Sequence, residues 1–138
     1  MKRIFVLHHD TAVLYAYEDM LKSLGYEVFA TNNYYKFLLY TAEIPTDFLI
    51  FDAEDRYDED FVKALKNKEK TRNIPLLLIV NRGINPKIIP EITHILFKPF
   101  QMSDFFDILQ KYQQNLTKNA LFHVENKQNF QDLHDIMR

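Results

Sequence analysis

Asp47-Phe48-Leu49-Ile50-Phe51-Asp52 is the stretch on which the fold turns: an unbroken apolar run closed at either end by a carboxylate. A strand covered by helices on both faces loses the polar alternation of a half-exposed strand, so a short continuous apolar run marks a buried strand of a parallel sheet. Pro45 breaks the chain just ahead of it. The run delivers Asp52 to the carboxyl end of its strand, the edge where open α/β sheets gather ligands.

Working outward, short apolar runs alternate with segments of helical period. Ile4 to Leu7 reads as a first strand, leading through Asp10 or Thr11 as N-cap into a helix from Ala12 to Leu24 with Val13, Tyr17, Met20, Leu21 and Leu24 on one apolar face. Gly25 supplies the helix stop, and Tyr26 to Ala30 follows as a second strand. Asn32 or Asn33 caps an aromatic-rich helix from Tyr34 to Tyr40, in which Tyr34, Tyr35, Phe37 and Tyr40 exceed a single apolar stripe. After Asp52, the acidic stretch Ala53 to Asp60 reads as a solvated loop passing into a helix to about Lys68, with Phe61, Val62 and Leu65 facing inward. Ile74-Pro75 introduces a strand from Leu76 to Val80. Gly83, Pro86 and Pro90 then leave room for at most a turn or two of helix before a strand from Ile92 or Thr93 to Phe97. Ser103 is placed to cap a last helix through about Gln113.

This order predicts an α/β, doubly wound, flavodoxin-like fold: a five-stranded parallel sheet with its fourth helix shortened. Residues 1–113 form that domain, and residues 114–138 form an extension with an extra amphipathic helix carrying Phe130, Leu133 and Ile136 or Met137. A helix that short is marginal alone in water, so it is expected to dock on its own domain or dimer, or on a partner.

Composition narrows the function. The chain has 138 residues, 47% of them hydrophobic and 26% charged, which suits one folded domain. A net charge of -2 gives no basic field, so nucleic-acid binding is not expected. The absence of cysteine excludes disulfides and thiolate zinc sites and fits a cytoplasmic location. The apolar segment after Met1-Lys2-Arg3 is too short for a signal peptide or a membrane span. Two glycines against eight tyrosines and twelve phenylalanines argue for a large aromatic interior or interface. No nucleotide-binding glycine loop or catalytic serine motif points to an enzyme.

A strand ending in Asp52, with Lys98-Pro99-Phe100 following a later strand, resembles the receiver domain of bacterial two-component response regulators. The resemblance runs from about Lys2 to Gln113 and includes Gly25-Tyr26-Glu27-Val28, Thr71 and Ile74-Pro75. It implies phosphorelay signalling, with Asp52 as candidate phosphoacceptor, Lys98 as its counter-charge and Pro99 in the cis form. It also implies a signalling partner, either a histidine kinase or a separate output protein, and is compatible with a homodimer.

Departures from the family pattern fall on the residues that do its chemistry. His8 and His9 stand where two metal-binding acids belong, and magnesium prefers carboxylate and water oxygens to imidazole. Asp10 occupies a position that normally points away from the metal. Val80 replaces the strand-four hydroxyl and Ile95 the mobile aromatic residue, while Asp55-Arg56 stands where Met-Pro is common. The expected reading is therefore a pseudo-receiver acting by protein contact, with no cofactor and no metal. Asp52 and Lys98 then form a structural ion pair. Two alternatives stay open: an atypical receiver phosphorylated on Asp52, and a small flavodoxin-like module that binds a ligand or a metal, the latter through a histidine with Asp52 or Glu54.

Overall fold

The computed structural model describes residues 2–112. Five parallel strands lie in the order β2-β1-β3-β4-β5: β1 (Arg3–Leu7), β2 (Glu27–Thr31), β3 (Phe48–Glu54), β4 (Leu76–Asn81) and β5 (His94–Lys98). Four helices accompany them among the described residues: α1 (Thr11–Ser23), α2 (Tyr34–Glu43), α3 (Glu59–Lys66) and α4 (Met102–Lys111). This is the flavodoxin-like doubly wound architecture that the alternation of runs predicts. Phe130, Leu133, Ile136 and Met137 lie outside the described residues.

The apolar run is β3, at the centre of the sheet, with Ile4 opposite Phe48 on one side and Leu49 opposite Leu76 on the other. Successive side chains of a strand point to opposite faces, so each buried strand feeds two cores. Ile4, Val6, Ile50, Leu77 and Ile79 pack with Leu14, Tyr17 and Leu21 of α1 and Phe105 and Leu109 of α4. Phe5, Leu7, Leu49, Phe51 and Leu78 pack with Phe37 of α2 and Phe61, Val62 and Leu65 of α3.

Local chemistry sets the helix ends. Asp10, not Thr11, caps α1, its Oδ1 accepting from the Ala12 amide at 2.8 Å. Gly25 closes the same helix with φ of 94°, where its amide donates to Lys22 O and the Tyr26 amide to Leu21 O, the paired bonds of a Schellman ending. Asn33 caps α2, and Asp58 caps α3 ahead of Glu59 and Asp60, which suit the positive end of the helix dipole. Helix α2 continues to Glu43 because buried Thr41 satisfies its hydroxyl by donating to Phe37 O at 2.6 Å, and it stops short of Pro45. Ser103 does not cap α4. That helix starts at Met102 after Gln101, without a side-chain cap, which lets Met102 join Phe105 and Phe106 in the core.

The β4–β5 connection carries turns and no helix, a larger loss than the expected shortening. Ile89 and Ile92 plug the core from this loop, but Phe97 of the edge strand β5 stays 41% exposed and Ile88 80% exposed. No helix of the described residues is long and apolar enough to cross a membrane.

Candidate functional site

The carboxyl ends of β1, β3 and β5 bring His8, Asp52 and Lys98 together. β5 is two strands away from β3, on the order of 10 Å, so only a long side chain can bridge the gap across β4. Lys98 does so, its Nζ donating to Asp52 Oδ2 at 2.8 Å, with the Lys98-Pro99 peptide bond in the cis form. Tyr17 reaches the same oxygen from α1, its hydroxyl donating at 2.8 Å. Asp52 Oδ1 has no hydrogen-bond partner and the side chain is fully buried. Burial pushes the Asp52 carboxyl above its ordinary range, outweighing the pull of Lys98, His8 and the Tyr17 hydrogen bond.

A bulge follows. Asp52 pairs with Ile79 and Glu54 with Val80, leaving Ala53 out of the ladder, and Glu54 takes the left-handed region at φ of 53°. This backbone sets the Glu54 carboxylate among three cationic or imidazole groups. Its Oε2 accepts from Lys98 Nζ at 3.1 Å, while its Oε1 lies 2.6 Å from His9 Nε2 and 3.3 Å from His8 Nε2. Burial alone would raise this carboxyl, but the His9 hydrogen bond and Lys98 together hold it below its usual value.

His8 and His9 stack with ring centroids 4.6 Å apart. His8 is buried, and its Nδ1 accepts the Asp10 amide at 2.8 Å. That bond places the proton of neutral His8 on Nε2, and burial lowers its pKa and favours the neutral ring. The Nε2–H faces Asp52 Oδ2 at 3.6 Å and Glu54 Oε1 at 3.3 Å without a well-formed bond to either. His8, His9 and Glu54 offer ligand atoms within 4.8 Å of one another. The nitrogen that would face an ion is, however, the one that carries the His8 proton, so in this arrangement His8 turns an N–H and not a lone pair toward the two carboxylates.

Of the residues singled out from sequence, Asp52, Lys98 and His8 meet in one buried cluster and His9 stands at its rim. Asp10 does not join them, because its carboxylate turns to cap α1. Val80 is fully buried in the core with Phe97 opposite it on β5, while Ile95, opposite Leu78, packs against the same core. Asp55 accepts from Asn81 Nδ2 at 3.0 Å. Tyr17 was missed: it reads as one more apolar helix residue, although a tyrosine on a buried face needs a partner for its hydroxyl. Glu54, read mainly as a solvated loop acid and only in one alternative as the partner of a histidine, does lie against His8 and His9, and the bulge that turns it inward leaves no mark in the residue order.

No family model matches the chain, and no curated protein matches its sequence. Solved structures do. The chemotaxis response regulator CheY4 of Vibrio cholerae is 21% identical with a TM-score of 0.67, over 81% of this chain and 98% of that one. A response regulator receiver modulated diguanylate cyclase from Pelobacter carbinolicus is 21% identical with a TM-score of 0.70, over 83% and 94%. The receiver domain of the sensor histidine kinase PA1611 from Pseudomonas aeruginosa, with a magnesium ion coordinated in its active-site cleft, is 17% identical with a TM-score of 0.65, over 80% and 96%. The likeness is one of fold: this chain has the receiver architecture.

Proposed function

We propose that this receiver-fold chain is a pseudo-receiver of phosphorelay signalling, a cytoplasmic module that works by protein contact and without phosphorylation of Asp52. The observation that carries the reading is the way the site neutralises itself. Lys98 and Tyr17 both donate to Asp52 Oδ2, and the His8 Nε2–H stands between Asp52 and Glu54. Magnesium asks for several oxygen ligands in near-octahedral geometry and keeps part of its water shell. Here it would meet an N–H donor, a second imidazole and a lysine already shared by both carboxylates, so the residues do not suit it. With no oxygen-rich metal site to neutralise a transferring phosphoryl group, Lys98 is the only full cation at the acceptor among the described residues, and phosphoryl transfer depends on such neutralisation. The partner is then a signalling protein, a histidine kinase or a separate output protein, or a second copy of the chain.

The free Oδ1 of Asp52 favours a second reading, an atypical receiver that still accepts a phosphoryl group there. Incubation with acetyl phosphate and magnesium, read by intact mass, separates the two. The pseudo-receiver reading expects no adduct. A stoichiometric gain of one phosphoryl group that disappears in Asp52→Asn would overturn it.

A further inference from the structure

The β4–β5 connection has no helix to cover its side of β5, and three observations bear on what could seat there. Phe97 is 41% exposed although its strand neighbour on the same face, Ile95, packs into the core, and Ile88 in the connection crossing that side is 80% exposed. Ile89 and Ile92 of the connection and Ile95 of β5 all pack into the α2–α3 core, so Phe97, on the same face as Ile95, and the connection lie on one side of the sheet. The described chain also ends beside that strand: the Tyr112 hydroxyl lies 2.6 Å from Nε2 of His94, the first residue of β5. Residues 113–138 continue from there, with Phe130, Leu133 and Ile136 or Met137 at the spacing of one helical face.

We propose that the amphipathic stretch carrying Phe130 and Leu133 docks on the Phe97–Ile88 flank of its own chain and takes the place of the absent crossover helix. The reach is ample. Residues 113–129 can span up to about 55 Å when extended, whereas β5 itself is roughly 17 Å long and the path around its edge adds only on the order of 10 Å. A tether of that length sets a local concentration on the order of millimolar, which favours the chain's own segment over a second copy at ordinary protein concentration. Charge agrees with the placement: Asp132 and Asp135 adjoin the apolar positions of the stretch, and Arg82 and Lys87 are exposed in the β4–β5 connection. The proposal stands whether or not Asp52 takes a phosphoryl group.

Hydrogen exchange on the full-length chain tests it, because a covered edge strand opens less often. Leu133→Asp is expected to speed exchange of the β5 amides at least tenfold while leaving the β2 amides, on the opposite edge, unchanged. Equal exchange in wild type and variant would overturn the proposal. The chain has no cysteine, so the pair Lys87→Cys and Asp132→Cys gives a second measurement free of background thiols. A disulfide within one chain, formed at least ten times faster than in a Tyr15→Cys and Asp132→Cys control, supports docking in cis. Disulfides that join only separate chains would instead assign the flank to a second copy, and equal rates in both pairs would leave the segment with no seat there.

Discussion

Removing the charge of Lys98 is expected to cost far more stability than removing that of Asp52, although the two are partners in one bond. Lys98→Met leaves the fully buried Asp52 carboxylate with only the Tyr17 hydroxyl as a direct donor, and stripping one partner from a buried pair typically costs about 3–5 kcal/mol. The cost has a ceiling, because Asp52 can take up a proton instead. From the ordinary carboxyl value of 3.8, protonation at pH 7 costs at most about 4 kcal/mol at 1.36 kcal/mol per unit, and less here because burial already raises this group. A loss of about 3–4 kcal/mol is therefore expected at pH 7. An acid whose folded pKa is raised costs stability as pH rises from its unfolded to its folded value, so below the folded pKa the loss should shrink by up to about 1.4 kcal/mol for each unit of acidification, until the unfolded value of 3.8 is reached.

Asp52→Asn is expected to behave differently. It removes the ionised group whose burial is unfavourable, keeps an acceptor for Tyr17, and leaves Lys98 on Glu54 at 3.1 Å, so stability should stay within about 1 kcal/mol of wild type or rise. The double variant should regain most of what Lys98→Met loses. Urea unfolding followed by circular dichroism at pH 7 and pH 5, in low salt with a chelator, measures all four corners of the cycle. If Asp52→Asn loses as much as Lys98→Met, or if the Lys98→Met loss is the same at both pH values, the electrostatic account of the site is wrong.

Three further outcomes follow from the packing. Burial lowers the Lys66 ammonium, which donates to Ile74 O, from 10.5 to about 8, so its charge opposes folding below that value and the penalty lifts as pH rises toward 10.5. Wild type should accordingly gain about 1–2 kcal/mol relative to Lys66→Met between pH 7 and 10 in denaturant titrations, a figure reduced for partial solvent screening, and a flat difference would count against it. Phe37→Ala empties a fully buried ring position beside Phe5 and Phe61 and should cost about 3–5 kcal/mol of unfolding free energy. Gly25→Ala forces a side chain into positive φ at the α1 terminus and should cost about 1–2 kcal/mol, visible as a lowered Tm; no change would mean the turn relaxes.

The parts of this fold that residue order reveals are those governed by local rules. Phe48 to Phe51 announces a central strand because four apolar residues in a row can be covered only from both faces, and Gly25 announces a helix end because few other residues accept its backbone angle. Asp52 and Lys98 were legible as partners through the family pattern. The rest depends on tertiary placement. Tyr17 looks like any apolar helix residue until α1 is laid over the end of β3. Glu54 looks solvated until a bulge turns it toward Lys98. Ser103 has the chemistry of a cap, but the gain from burying Met102 moves the helix start ahead of it.

Val80, buried and without a hydroxyl at the end of β4, bears on how such a protein could carry information. A ligand shifts a conformational equilibrium only by the difference between its affinities for the two states. With a valine where a hydroxyl could be drawn toward Asp52, a group arriving at Asp52 finds no side-chain donor at the end of β4 to bind in one state and release in another. On the proposed reading the chain transmits through how much of it is present and what it occupies: its signal is a concentration.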